Sequence, residues 1–153
     1  MTSIIRYRIV SDALTTYRLK EPSSPDATTP RCTELCTLDD GYTYVAVPDG
    51  VTLPEDQPDP IAGSIEAVSL TAELREQIKS ASPHCQLISQ RVIERIRERY
   101  SVDDELFFAR IMIGSQAGLY TLEAGEMAEV EAFKDWVEDA REWGRAQRAG
   151  LGL

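Results

Sequence analysis

The sequence predicts an α+β fold, with a small antiparallel N-terminal sheet, a proline-rich connector and a C-terminal region of three to four helices. The first 47 residues are rich in β-branched and aromatic side chains. Seven of the eight prolines lie between residues 22 and 60. Later in the chain, apolar residues recur with helical spacing. We therefore expect a β region over residues 1–47, a connector over 48–63, and over 64–153 a helical region that opens with a short strand.

The β region is predicted to contain four strands. Alternating or β-branched runs place them at residues 4–10, 15–19, 32–38 and 42–47. Asp40-Gly41 lies between the last two runs and is typical of a hairpin turn. Residues 65–70 alternate again and predict a further strand that returns to the same sheet.

Two segments are predicted to lack regular structure because they are rich in proline. Proline fixes φ and has no N–H to donate, so no helix or strand is expected across residues 48–63. That connector would be an extended spacer, or a strap laid over a partner. Pro22, Pro25 and Pro30 predict a loop between the second and third strands.

Helix starts are marked by three residues in the C-terminal region. Thr71 is a suitable N-cap for a helix that ends near residue 80. Pro83 begins a second helix, because proline is well tolerated in a first helical turn. Ser101 is the expected N-cap of a third helix, with three acids in its first turn, where the helix dipole favours negative charge.

The third and last helices have predicted apolar faces. Gly114 and Gly118 are expected to end the third helix, and Gly125 is expected to precede the last one, over residues 126–148. The core side of the third helix is predicted to be Leu106, Phe107, Ile111 and Met112. The last helix has a broad apolar stripe, formed by Val130, Phe133, Trp136, Val137, Ala140 and Trp143.

Composition and charge exclude several classes of protein. The 153 residues are enough for one domain or two small ones. A net charge of −10 argues against nucleic-acid binding, because the phosphate backbone would be repelled. No apolar run approaches the roughly 18–20 residues that span a bilayer, so membrane insertion is not expected. Three cysteines and no recognisable export signal favour reduced thiols.

The cysteines and the single histidine are the first candidates for chemistry. Cys32, Cys36 and Cys85 with His84 could in principle form a tetrahedral zinc site. Cys32 and Cys36 are expected on one face of a strand instead of a tight turn, so buried, reduced thiols are favoured. Neighbouring residues on a helix point about 100° apart, so His84 and Cys85 do not form a base and nucleophile within their helix.

The acidic and glycine-rich segments predict structural roles. Asp103, Asp104 and Glu105 follow an N-cap, which favours helix capping over a carboxylate pair for catalysis or metal binding. The two glycines at 114 and 118 have neither a preceding strand nor a Lys-Ser/Thr pair, so a nucleotide loop is disfavoured. We therefore expect no catalytic residue, no cofactor, no metal, no small-molecule substrate and no enzymatic activity.

A partner surface is predicted on two of the helices. Trp136 and Trp143 lie seven residues apart on the last helix, and buried tryptophan and arginine side chains are typical interface anchors. Packing between helices of the same chain is the alternative interpretation. The predicted contact residues are Arg91, Arg95, Arg99, Trp136, Trp143 and Arg145.

Two segments resemble a known family. In residues 93–106 an arginine-rich helix runs into Tyr100-Ser101 and then Asp104-Glu105. Residues 133–153 contain Trp143-Gly144-Arg145 and close with a small apolar tail. Together, over about residues 87–153, they resemble small tail-associated proteins of tailed bacteriophages and prophages. The resemblance implies a tail, tail-tip or fibre-associated role and supplies no catalytic residue.

The expected function is therefore that of a non-enzymatic structural component of a phage tail tip or baseplate, which joins a tail fibre or receptor-binding protein to the tail. Its partners would be other tail and fibre subunits, with several copies in each assembly. It would be made in the host bacterial cytoplasm and located in the virion tail. A fibre-assembly chaperone absent from the mature virion is the first alternative.

An acidic phage-encoded inhibitor of a host factor is a further alternative. Such an inhibitor would mimic nucleic acid and would need a contiguous negative surface. Residues 1–63 carry 5 basic and 10 acidic groups, and the remainder carries 11 and 16. This even spread of charge disfavours mimicry.

Overall fold

The structure, a computed structural model, describes residues 1–23 and 30–153. Those residues form a small antiparallel sheet on the N-terminal side and a helical C-terminal region, which confirms the α+β class. The strands are β1 Ser3–Tyr7, β2 Val10–Ser11, β3 Thr16–Tyr17, β4 Thr33–Thr37, β5 Thr43–Val47 and β6 Glu66–Val68. The helices are α1 Asp59–Ala62, α2 Ala72–Ala81, α3 Pro83–Arg97, α4 Val102–Gln116 and α5 Ala124–Gly150.

The described chain divides into two compact units. The first, which we call the sheet unit, comprises Met1–Leu87 and Gln147–Leu153. The second, which we call the helical unit, comprises Ile88–Ala146. The polypeptide passes from one unit to the other within α3 and again within α5. The domain boundaries drawn from the sequence at residues 47 and 63 stay a prediction.

Four antiparallel strands form the main sheet, in the order β4-β5-β1-β6. β1 pairs with β5 from Ser3 opposite Val47 to Tyr7 opposite Thr43. On its other side β1 pairs with β6, with Ile4 opposite Val68. The predicted return of residues 65–70 to the sheet is therefore confirmed.

The hairpin between β4 and β5 forms at the predicted turn. Gly41 has a φ of +76°, a conformation that glycine adopts without steric cost. The Asp40 carboxylate accepts hydrogen bonds from the Tyr42 amide and the Tyr44 hydroxyl, each at 2.9 Å. Asp40 and Gly41 therefore stabilise the conformation of this turn.

The predicted first strand is divided in the structure. β1 ends at Tyr7, and the Arg8 amide donates to the Ser64 hydroxyl at 3.0 Å instead of to a neighbouring strand. β2 then pairs with β3 as a separate two-stranded ribbon. The loop predicted from Pro22, Pro25 and Pro30 lies largely outside the described residues.

The central strand β5 is buried along its whole length, from Thr43 to Val47. Its side chains alternate between two apolar clusters, one on each face of the sheet. The first cluster comprises Ile4, Leu35, Cys36, Tyr44, Ala46, Ile78, Cys85 and Leu153. The second comprises Tyr7, Cys32, Val45, Val47 and Ile61, with half-buried side chains that include Val51 and Leu53.

The proline-rich segment contributes to the second cluster and contains one helical turn. Ile61 is fully buried, and Val51 and Leu53 pack beside it, so the segment covers a face of the chain's own sheet. The expectation that no regular structure forms across residues 48–63 was wrong, because α1 occupies Asp59–Ala62. Pro60 lies in the first turn of α1, where its missing N–H would have no helical partner in any case.

The predicted caps of α2 and α4 are confirmed. The Thr71 hydroxyl accepts a hydrogen bond from the Leu74 amide at 3.1 Å. The Ser101 hydroxyl accepts from the Asp104 amide at 3.1 Å, and the Asp104 carboxylate accepts from the Ser101 amide at 2.7 Å. These reciprocal bonds form a capping box. The hydrogen bonds that the Ser101 hydroxyl and amide donate to the Asp104 carboxylate hold the pKa of Asp104 below its usual range.

α3 ends at Arg97. The structure corrects two predicted helix ends, those marked by Gly114 and Gly125. α4 passes through Gly114 and ends at Gln116, and α5 includes Gly125. A glycine inside a helix costs only about 1 kcal/mol relative to alanine, which the surrounding helix-forming residues offset.

The last residues of the chain return to the sheet. The Thr2 hydroxyl donates to the Gly150 carbonyl at 3.0 Å, and Leu153 belongs to the first apolar cluster. Gly152 has a φ of +78°, and a Cβ at this position would lie 3.2 Å from Ile4 Cδ1. Glycine therefore satisfies both the backbone conformation and the close approach that this return requires.

We predict that residues 1–63 expressed alone will show weak cooperative unfolding or none. This fragment contains β1, β4 and β5 but lacks β6 and three residues of the first cluster, namely Ile78, Cys85 and Leu153. One face of its sheet would be exposed to water. Thermal unfolding followed by circular dichroism tests this prediction, and a sharp, reversible transition would contradict it.

We also predict that Leu153→Ala will lower the free energy of unfolding by about 2 kcal/mol, because it removes a buried side chain from the first cluster. Urea denaturation measures this change. Leu14→Ala is the matched control: Leu14 is 96% exposed, so its effect should stay within about 0.5 kcal/mol. Equal effects of the two substitutions would show that Leu153 does not stabilise the sheet.

Candidate interaction surface

Two arginines of the helical unit stack on two tryptophans of α5. The Arg95 guanidinium carbon lies 5.0 Å from the Trp143 ring centroid. The Arg99 guanidinium carbon lies 5.4 Å from the Trp136 ring and 5.3 Å from the Tyr100 ring. These distances are within the range of cation–π interactions. The structure therefore brings four of the six predicted contact residues together in two cation–π pairs.

The Trp136 side chain also caps the C-terminal end of α3. Its indole N–H donates to the Arg95 carbonyl at 2.9 Å. The Arg99 amide, which would bond to that carbonyl in a longer helix, donates to the Ile96 carbonyl at 3.3 Å instead. The last carbonyls of a helix have no partner within the helix, so the indole satisfies an acceptor that would otherwise depend on solvent.

The other two predicted contact residues take no part in these cation–π pairs. Arg91 is exposed on α3. Arg145 forms an ion pair with Glu138 at 2.5 Å, and the hydrogen bond between them holds the pKa of Glu138 below its usual range. Both side chains of this pair are more than half exposed, so the pair contributes little to stability. Partner binding by the six residues stays a prediction.

The interior of the helical unit contains an aromatic cluster that joins α4 to α5. The Phe108 ring stacks on Phe133 with centroids 5.0 Å apart, and Tyr100 meets both rings edge-on at 5.9 and 5.1 Å. Phe108 is buried, with 7% of its surface exposed. Aromatic pairs at such distances contribute about 0.5–1.5 kcal/mol beyond their burial.

The predicted core side of α4 was wrong for two of its four residues. Leu106 and Phe107 are 49% and 48% exposed, whereas the neighbouring Phe108 is buried. Ile111 and Met112 are half-buried. Between residues 106 and 113, Arg110 alone is charged, so apolar side chains surround the helix. Periodicity cannot identify the buried face of a helix that is apolar on all sides.

Large apolar side chains on α4 remain exposed. We call Val102, Leu106, Phe107 and Ile113 the α4 surface. Val102 is 53% exposed and Ile113 is 66% exposed, and the other two are close to half exposed. Single exposed apolar residues are common, but four on one 15-residue helix are typical of a protein-binding surface. The sequence contained this signal, because α4 has more apolar side chains than one buried face can hold.

The cysteines are buried on opposite faces of the sheet, which corrects the expectation that Cys32 and Cys36 share a face. The register of β4 shifts between Glu34 and Cys36, so Leu35 is an extra residue in the strand. Cys36 therefore joins Cys85 in the first cluster, whereas Cys32 lies in the second.

Burial makes the Cys32 and Cys36 thiols poor nucleophiles and poor metal ligands. It raises the pKa of the Cys36 thiol to about 11, and it also raises the pKa of Cys32. The thiol form therefore predominates at neutral pH, whereas the thiolate is the reactive and ligating form. Across residues 1–23 and 30–153, no group of three or more histidine, cysteine or acidic side chains is placed to hold a metal ion.

The three acidic side chains at the start of α4 differ in their contacts. Asp104 belongs to the capping box, and Glu105 forms an ion pair with Arg97 at 2.8 Å. Asp103 is exposed. This arrangement stabilises the first turn of the helix and does not bring two carboxylates together for acid–base chemistry.

We predict that Trp136→Phe will lower the free energy of unfolding of the full chain by about 1 kcal/mol. The substitution keeps an aromatic ring for Arg99 but removes the indole donor to the Arg95 carbonyl. Trp143→Phe is the matched control, because the Trp143 indole makes no hydrogen bond to the described residues. Chemical denaturation compares the two variants, and an equal loss in both would show that the indole bond does not stabilise the end of α3.

None of the helices in the described ranges is long and apolar enough to cross a membrane. The chain matches no protein-family model, no curated protein and no solved structure.

Proposed function

We propose that this protein is a non-enzymatic structural component of a phage tail tip or baseplate, which joins a tail fibre or receptor-binding protein to the tail. The α4 surface is the observation that carries the proposal, because it presents large apolar side chains for which the described chain provides no full cover. The resemblance of residues 87–153 to small tail-associated phage proteins supports the setting. The protein would be made in the bacterial host and incorporated into the virion tail.

The distribution of exposed apolar side chains favours the helical unit as the partner-binding part. Both faces of the main sheet pack against other segments of the same chain. On α4, by contrast, four large side chains keep about half or more of their surface in water. Covering each of them would contribute about 1 kcal/mol to binding. A protein with such a surface is expected to be more stable in an assembly than alone.

The acidic charge is compatible with a protein partner. The net charge of −10 would repel nucleic acid, and the acids are distributed over the whole chain. The exposed arginines at positions 91, 95 and 99 belong to the same helical unit as the α4 surface. An apolar centre with charged residues around it is the usual organisation of a protein–protein interface.

Quantitative mass spectrometry of purified particles tests the structural role. Particles would be prepared from the tailed phage or induced prophage that encodes the chain. We expect the protein at a fixed number of copies per particle. Its absence from particles, together with its presence in the infected-cell lysate, would contradict the structural role. That outcome would favour the fibre-assembly chaperone, or the host-factor inhibitor if the protein is recovered with a host protein.

We predict that Phe107→Asp will reduce the number of copies per particle at least tenfold, because it places a charge on the α4 surface. Leu14→Asp is the control, since Leu14 is an exposed leucine in the sheet unit. Thermal melts of both purified chains establish that they are folded. Normal incorporation of the Phe107→Asp chain would exclude this part of α4 from the binding surface.

A further inference from the structure

One side of α4 has the residue spacing of a coiled-coil seam. Val102, Leu106, Ala109 and Ile113 follow one another at intervals of four, three and four residues, and all four are exposed. This spacing corresponds to alternating d and a positions of a heptad. With a rise of about 1.5 Å per residue, the seam extends over about 17 Å of the helix. Phe107 points about 100° away from Leu106 and lies outside the seam.

Two oppositely charged residues lie beside this seam. Asp103 and Arg110 are seven residues apart, so they occupy the same flank of α4. Both are exposed, and their side chains form no ion pair with any residue in the described ranges. On the opposite flank, Glu105 is already paired with Arg97 at 2.8 Å.

We propose that α4 packs antiparallel against α4 of a second copy of this chain. A two-fold axis between Leu106 and Ala109 places Leu106 of one copy against Ala109 of the other, and Val102 against Ile113. On one flank, the same axis places Asp103 about two residues, or about 3 Å along the helix, from the level of Arg110 of the second copy, which its long side chain can span. The symmetry repeats this pair between Arg110 and the second copy's Asp103. The flank is therefore complementary to itself, as an isologous interface requires.

The charges favour the antiparallel arrangement over the parallel one. In a parallel pair, Arg110 would approach Glu105 of the second copy, which Arg97 already holds, and Asp103 would have no cationic partner. In the antiparallel pair both unpaired charges gain a partner. The helix dipoles also lie side by side and antiparallel, so the positive end of each helix is beside the negative end of the other, which adds a favourable electrostatic contribution.

The size of the seam determines the strength expected of the dimer. Ala109 allows the two backbones to approach closely, and the three larger side chains fill the contact. A contact of about 17 Å between single helices buries less than the roughly 800 Å² per partner of a standard interface. We therefore expect a dimer that dissociates on dilution. This inference concerns the purified chain and does not depend on a role in a phage tail. In a tail, a second copy would be the partner that covers the seam, and Phe107, which lies outside the seam, would remain for contact with another subunit.

Sedimentation velocity of the full chain over a range of concentrations tests the proposal. We expect the wild type to convert from monomer to dimer as its concentration rises, and Leu106→Asp to remain monomeric. Phe107→Asp is the matched control, because it introduces the same charge one residue away but outside the seam, and it should dimerise like the wild type. A wild type that stays monomeric throughout, or equal loss of dimer in both variants, would overturn the proposal.

Charge reversal tests the pairing of the flanks. Asp103→Arg alone and Arg110→Asp alone should each raise the dissociation constant of the dimer about tenfold, because each creates two repulsive contacts. The double variant restores both opposite-charge pairs and should dimerise nearly as well as the wild type. Ser101 and Asp104, which form the capping box, are unchanged in all three. Failure of the double variant to recover would contradict the assigned pairing.

Cross-linking tests the direction of the helices. A mixture of Leu106→Cys chains and Ala109→Cys chains should form mainly mixed disulfide dimers, because these positions face each other only in the antiparallel pair. Wild type is the background control, since its three cysteines are buried. Predominant dimers of Leu106→Cys with itself would indicate parallel helices and overturn the proposed arrangement.

Discussion

Complete burial of strand β5 is the constraint on which the sheet unit depends. All five residues of β5 are buried, so both faces of a four-stranded sheet must be covered. Ile61 and its neighbours in the proline-rich segment cover one face. Ile78, Cys85 and Leu153, which are far apart in the sequence, cover the other. A sheet this small is stable only when such distant segments pack on it, because few of its own side chains are shielded from water.

The core of the helical unit is built around aromatic side chains. Its interior contains the aromatic cluster of Tyr100, Phe108 and Phe133, and the Trp136 indole N–H caps the end of α3. These contacts use one side of α4 and leave its apolar surface in water. Most of the large exposed apolar side chains in the described residues therefore lie in the helical unit.

Local signals made much of this fold predictable. Thr71 and Ser101 cap helices and Gly41 shapes a turn because each acts on backbone groups within three residues of itself. The bulge at Leu35 left no such signal, since it depends on pairing with a strand that follows later. The burial of Phe108 instead of Phe107 was likewise decided by the partner helices. The six predicted contact residues carry side chains suited to binding, but which of them stack on each other depends on tertiary structure.

The stacked arginines connect internal packing with the proposed binding function. Arg95 and Arg99 lie over tryptophan rings, yet both remain exposed. Stacking engages the face of the planar guanidinium and leaves the N–H groups at its edge able to donate. A guanidinium already held in place loses less conformational entropy when it meets a carboxylate of a partner. The contacts that hold Arg95 and Arg99 against the tryptophans of α5 would therefore pre-order these side chains for binding at the edge of an interface.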